Sequence, residues 1–308
     1  MDKHTYSGKI NEWIDQHIDQ FFKTDCATNN SLRDVIKYIM QGGKRVRPSI
    51  SLDIYNTLCE KRGCEKFYTF GFLPVEYIHT SSLVIDDLPC MDNAISRRGN
   101  TCVHKKYGEA IAQLSSAILL SLSTDCYSGD IDKAIDAGHL TKEQASEISI
   151  YFIRKFSNVL GVTSQGQLLD LESTNGDVGI LLREVSSKIS VEDIITKKTG
   201  TFFEMSFELG WILGTGSLKD LDKIKRLAHS FSMAFQIADD LEDMEEDLRT
   251  AKKNVNQNYA LRYGKDKATE SGLDYLTEFT QSLQELELSS PYFTTLVDYL
   301  RSKINMAV

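Results

Sequence analysis

The sequence predicts an all-α fold, and three observations carry that prediction. Prolines are scarce: Pro48, Pro74, Pro89 and Pro291 are the only ones, and none falls in residues 90–290. A β-sandwich or an α/β chain of 308 residues would need many more turns, which proline and glycine usually mark. Helical periodicity recurs along the chain, with plausible helix starts. The composition, 41% hydrophobic and 26% charged, is that of an ordinary globular protein, so disordered and fibrous readings drop out.

Taken in order, the pattern predicts helices over 8–22, 30–41, 47–60, 67–88, 103–124, 141–172, 191–213, 218–247, 256–264, 267–287 and 291–304. Thr141 with Gln144 has capping-box spacing, and Ser290 followed by Pro291 makes an N-cap and first-turn pair. The helices over 67–88 and 218–247 are long and end in carboxylate clusters. Residues 173–192 mix Gly, Asp and Ser and read as a loop, with 173–190 as an insert. No internal repeat or linker divides the chain, so residues 1–308 are expected to form a single domain.

Charge and cysteine usage exclude several functions. A net charge of −9 and a pI near 5.3 leave no broad electrostatic footprint for nucleic acid. No apolar run approaches the ~18 residues needed to cross a bilayer. The start, Met1-Asp2-Lys3-His4, lacks an apolar signal core. Cys26, Cys59, Cys64, Cys90, Cys102 and Cys126 contain no C-x-x-C pair and read as reduced thiols of a cytosolic protein.

Two acidic clusters carry the chemistry. Asp86-Asp87-Leu88-Pro89-Cys90-Met91-Asp92 follows the apolar Leu83-Val84-Ile85, and Asp239-Asp240-Leu241-Glu242-Asp243 follows Ile237-Ala238. Asp239 and Asp243, at i and i+4, share a helix face, where like charges destabilise unless a cation lies between them. Asp86 and Asp92 would lie about 240° apart on an ideal helix. Pro89 predicts a kink that brings Asp92 back toward Asp86. A solvated acidic face is the ordinary reading of one such cluster. Two of them, each behind an apolar helical stretch, favour hard-oxygen ligation of Mg²⁺ shared with substrate phosphates.

Cations cluster in sequence beside these carboxylates. They are Lys44 and Arg47 in Gly42–Pro48, then Arg97-Arg98-Gly99, Lys197-Lys198-Thr199-Gly200, and Lys252-Lys253. A site rich in both signs suits a polyanionic substrate held by metal ions and cationic side chains together. No Walker-type or Rossmann glycine loop is present, so a nucleotide is not the obvious anion. His79 lies on the helix leading to Asp86, on the same side.

In this order, GGKRVRP at 42–48, DDLPCMD at 86–92, RRG at 97–99, GQLLD at 166–170, KTG at 198–200 and FQIADDLED at 235–243 resemble the trans-polyprenyl diphosphate synthase family. The resemblance covers about residues 30–265. It implies a helical bundle of the isoprenoid synthase type around a central cavity, the aspartate clusters facing each other across its mouth. It further implies a homodimer that uses three Mg²⁺ ions. The activity implied is head-to-tail condensation of isopentenyl diphosphate with an allylic diphosphate of C5–C15.

The roles the resemblance implies follow position by position. Lys44, Arg47, His79 and Arg98 would hold isopentenyl diphosphate, while Arg97, Lys198 and Lys253 would grip the allylic diphosphate. Asp86, Asp92 and Asp239 would be the chief Mg²⁺ ligands, supported by Asp87, Asp240 and Asp243. Thr199 and Gln236 would face the reacting carbons, with Gln167 and Asp170 at the border of the site. The form DDLPCMDN is most similar to geranylgeranyl diphosphate synthases. Small Ser81 and deeper Tyr77, about one turn below it, predict a product near C20, with Tyr77 as a stopper. The alternatives are farnesyl diphosphate synthase, a non-catalytic modulating subunit, and a terpene cyclase or head-to-head enzyme.

Overall fold

A computed structural model describes residues 3–23, 27–63, 66, 70–171, 190–250 and 258–306. The segment 173–189, expected to be an insert, lies outside the described residues, as do Lys252 and Lys253. In chain order the helices are α1 (Lys3–Phe21), α2 (Ala27–Met40), α3 (Val46–Arg62), α4 (Pro74–Asp86), α5 (Val103–Tyr107), α6 (Glu109–Asp136) and α7 (Lys142–Leu171). They continue as α8 (Val191–Ile195), a π-helical turn (Thr196–Gly200), α9 (Thr201–Thr215), α10 (Leu221–Thr250), α11 (Tyr259–Tyr263), α12 (Lys265–Glu285) and α13 (Pro291–Met306). One small hairpin, β1 (Ser96–Arg97) and β2 (Asn100–Thr101), is the only β-structure among the described residues. The fold is all-α, as the proline and periodicity arguments predict.

The chain forms two compact units, one of Met1–Tyr151 with Leu209–Ser217 and one of Phe152–Glu208 with Leu218–Val308. In the first, α4 packs on α6, and their closest approach is allowed by small residues: Ser81 Oγ lies 2.7 Å from Ser116 Oγ. The last turns of α9 press against α3, where a Cβ on Gly210 would come within 2.6 Å of the Ser51 carbonyl oxygen. Tyr77 is fully buried, and its hydroxyl donates to Nδ1 of His17 on α1 at 3.0 Å; His17 Nε2 in turn meets Asp125 at 3.1 Å. In the second unit Phe203, Phe207, Phe231, Phe279 and Phe293 form one aromatic core, with ring centroids 4.9–6.0 Å apart between α9, α10, α12 and α13. Each such ring contributes about 1.5–3 kcal/mol by leaving water.

The first helix starts at Lys3 rather than residue 8, a π turn interrupts the helix expected over 191–213, and three further departures from the sequence reading have a local cause. The helix predicted from 67 begins at Pro74, because proline lacks an N–H and fits the first helical position rather than the interior. The helix predicted over 103–124 is two helices broken at Gly108, whose φ of 92° a right-handed helix cannot contain, and the second runs on to Asp136. At Pro89 there is no kinked helix: α4 stops at Asp86 and the chain folds back. The Asp92 amide then donates to the Asp86 carbonyl at 2.9 Å, so the two residues are brought together as expected, by termination instead of bending.

Candidate active site

Within the first unit, three short segments converge. The RRG hairpin turns through Arg98 (φ 52°) and Gly99 (φ 80°), the paired left-handed conformations of a two-residue hairpin turn. That turn sends adjacent arginines to different partners. Arg97 donates through Nε and Nη2 to Asp87 Oδ1 at 2.9 and 2.5 Å. Arg98 donates to Glu76 Oε1 at 3.2 Å and to Thr80 Oγ1 at 3.4 Å. The GG of GGKRVRP receives the turn: a Cβ on Gly42 (φ 76°) would lie 2.7 Å from the Arg98 carbonyl oxygen, and one on Gly43 would lie 2.9 Å from Arg98 Nη1. Only glycines permit that contact.

Arg45 is buried with φ 55°, donating to Glu76 Oε1 at 2.6 Å, to Asn11 at 2.8 Å and to the Met40 carbonyl. Lys44 beside it is exposed. Arg47 Nη1 donates to His79 Nε2 at 3.2 Å. Burial first, and then the charges of Arg47 and Arg98, hold the His79 pKa well below the usual histidine value, so the ring is a neutral acceptor at pH 7. Four of the residues implied for one diphosphate, Lys44, Arg47, His79 and Arg98, thus belong to one unit and to neighbouring segments of it.

The first aspartate cluster divides into two environments. Asp87 is buried, and besides Arg97 it accepts from Cys102 Sγ at 3.3 Å; burial and Asp87 push that thiol up to about 11. Asp86 is half-buried and Asp92 exposed, at the two ends of the fold-back.

The second unit holds the other cluster. Asp240 is fully buried, accepting from Gln236 Nε2 at 3.0 Å and from the Tyr259 amide at 2.9 Å. Gln236 Oε1 in turn accepts the Thr199 hydroxyl at 2.9 Å, giving a chain Thr199–Gln236–Asp240. Thr199 and Lys198 sit in the π turn, whose extra residue widens the helix where Gly166 of α7 comes close: a Cβ there would lie 2.8 Å from the Lys198 amide. Gln167, the next residue, is buried with no hydrogen-bond partner for its amide. The side chain of Asp170 lies outside what is described, and so does Lys253.

Asp239 and Asp243 share a face of α10, half-buried and exposed respectively. Lys303 of α13 reaches Asp239 at 2.7 Å and Glu242 at 2.6 Å. Among the described residues no three His, Cys, Asp or Glu side chains are gathered as a finished metal site. The donor set nevertheless fits Mg²⁺ by its chemistry: Asp86, Asp92, Asp239 and Asp243 offer hard carboxylate oxygens, and Asp239 already pairs with the Lys303 ammonium. Sequence reasoning assigned no role to Lys303, nor to Arg45 and Glu76.

The sequence model of the polyprenyl synthetase family matches residues 29–262, and the chain belongs to that family. It is 30% identical over 288 residues to a trans-prenyltransferase of African swine fever virus, spanning 90% of this chain and 77% of that protein. Geranylgeranyl pyrophosphate synthase 4 of Arabidopsis thaliana is 34% identical over 212 residues, 67% of this chain and 50% of the relative. Among solved structures, a geranyltranstransferase of Thermotoga maritima superposes with a TM-score of 0.71 and 28% identity, covering 100% of this chain and 99% of the other. The family is one of trans-prenyltransferases, and no helix among the described residues is long and apolar enough to cross a membrane.

Proposed function

We propose that the chain is an Mg²⁺-dependent head-to-tail prenyltransferase that adds isopentenyl diphosphate to an allylic diphosphate and stops at C20, geranylgeranyl diphosphate, as a cytosolic homodimer. The observation that carries this reading is the cationic group Arg47, His79 and Arg98, with Lys44 beside it, separate from the aspartates yet adjoining Asp86–Asp92. A cyclase has one diphosphate to bind and no need of such a second receiver.

In this reading Asp86, Asp92, Asp239 and Asp243 hold Mg²⁺, which when bound neutralises charge on the departing diphosphate. Arg97 and Lys198 grip the allylic diphosphate, with Lys253, and stabilise the same charge from the protein side. The Thr199 proton is committed to Gln236, and a Gln236 amide proton to Asp240. What the pair offers an electron-poor carbon is therefore oxygen lone pairs, which suits an allylic cation. The isopentenyl double bond attacks that cation, and the released diphosphate accepts the proton then lost. Apolar walls keep water from quenching the cation to an alcohol.

The C20 reading draws on small Ser81, paired with Ser116, and on Tyr77 held by His17. It also draws on the Arabidopsis relative's name, while the Thermotoga neighbour's name favours a shorter product. The test is product analysis with Mg²⁺, isopentenyl diphosphate and separate C5, C10 and C15 allylic starters. C20 from the C15 starter supports the reading. Arrest at C15 makes the enzyme a farnesyl diphosphate synthase, and no elongation from any starter makes the chain a modulating subunit.

A further inference from the structure

Glu76 is the third residue of α4 and is buried at 2% exposure. Its Oε1 accepts from two guanidinium groups at once, Arg45 Nη1 at 2.6 Å and Arg98 Nη2 at 3.2 Å. The two arginines are not equivalent. Arg45 is spent internally on Asn11, Met40 and Glu76, and its side chain is 2% exposed. Arg98 bonds, among the described residues, to Glu76 and Thr80, and its side chain keeps 16% exposure. Both sit at left-handed φ, which is strained for a non-glycine residue and persists only where surrounding contacts hold it. One carboxylate supplies contacts to both.

A carboxylate is an odd neighbour for a polyanion. If charge alone mattered, Glu76 would weaken binding of a diphosphate at Arg98. We infer that Glu76 is a positioning residue for the isopentenyl diphosphate half of the site: it fixes the Arg98 guanidinium, with Arg45 as the rigid strut behind, and that ordering outweighs its own negative charge. The inference rests on the proposed role of Arg98 and deepens it. Charge and positioning predict opposite signs, so one substitution separates them.

The experiment compares wild type, Glu76→Gln, Glu76→Asp and Arg98→Ala, measuring KM for isopentenyl diphosphate, KM for geranyl diphosphate, kcat and thermal unfolding. Positioning predicts that Glu76→Gln, whose Oε1 still accepts but without charge, raises KM for isopentenyl diphosphate about tenfold, the scale of replacing a charge-assisted hydrogen bond by a neutral one. KM for geranyl diphosphate should stay within about twofold. Glu76→Asp keeps the charge but falls one methylene short, so it should give a smaller rise on the same substrate only; it carries the test if Glu76→Gln does not fold. An unchanged or lowered KM for isopentenyl diphosphate in a folded variant overturns the inference, as does an equal rise for both substrates. If Arg98→Ala leaves KM for isopentenyl diphosphate unchanged, the assignment of Arg98 itself has failed, a result distinct from any behaviour of Glu76.

Discussion

Asp240 and Asp243 carry the same supporting role in the sequence reading, and the structure gives them different surroundings. Asp240 is fully buried and accepts from Gln236 and from the backbone amide of Tyr259. In Asp240→Asn one of those donors must face an amide N–H₂ that cannot accept. A hydrogen bond to a charged acceptor contributes about 1.5–3 kcal/mol, and a buried donor left unpaired costs about 1–3 kcal/mol. About 3 kcal/mol is therefore the expected loss. At about 2–3 °C per kcal/mol for a chain of this size, unfolding should fall by roughly 6–9 °C. Asp243, exposed on the same helix, is the control: its change to Asn should move stability by no more than ~0.5 kcal/mol. Calorimetry in EDTA keeps metal out of the comparison. Turnover should drop too, because Gln236 loses the anchor that aims it at Thr199. If Asp240→Asn unfolds within about 1 °C of wild type, against an expected shift several times larger, or Asp243→Asn costs as much, the division of labour argued from these hydrogen bonds is wrong.

Three further outcomes follow from the same geometry. Lys303→Met should destabilise the metal-free protein by about 1 kcal/mol, the worth of a partly exposed ion pair, and the loss should shrink when Mg²⁺ and an allylic diphosphate are added; an equal loss in both conditions would show that Lys303 does not stand in for a cation. His17 and His79 both have depressed pKa values, His17 through burial and His79 through burial and then Arg47. The unfolded chain, with ordinary histidines near 6.5, then binds protons that the folded one refuses. Stability should be full above pH 6.5 and fall below it, approaching about 1.4 kcal/mol per pH unit for each ring, as read from urea midpoints at pH 7.5 and 5.5; His17→Gln should flatten that slope. Ser81→Phe, which must push past Ser116, should shift product from C20 to C15 by chromatography of the hydrolysed alcohols, and an unchanged distribution would refute the pocket register.

What was legible in the sequence was local. Thr141 and Gln144 exchange the two hydrogen bonds of a capping box at 3.0 and 3.2 Å, and Ser290 caps the Phe293 amide at 3.1 Å, both as spacing predicts. The motif GGKRVRP could be read as an anion loop because glycines and cations sit side by side. Its internal division could not: Arg45 goes inward and Arg98 joins it through Glu76, a residue 31 positions from Arg45 and 22 from Arg98. Lys303 is 64 residues from Asp239, and no periodicity or cap ties the two together. Pro74 and Pro89 were visible, but whether a proline opens, bends or ends a helix depends on which carbonyls its neighbours must satisfy. The pairing of Asp87 with Arg97 and of Asp240 with Gln236 and the Tyr259 amide was not legible, since an aspartate bound to a guanidinium or an amide is spelled like one facing solvent.

The π turn at Thr196–Gly200 has a consequence for how the chain tolerates deletion. A π turn is an α-helix with one residue too many, and the helices on either side keep the phase they would have without it. Removing one residue there would leave Val191, Ile194, Phe203 and Phe207 facing the same core while rotating Lys198 and Thr199 by about 100°. If Lys198 and Thr199 have the roles proposed for them, the fold would survive a loss that the reaction could not, and this turn is a place where a descendant of the protein could lose activity in a single step without ceasing to be a stable protein.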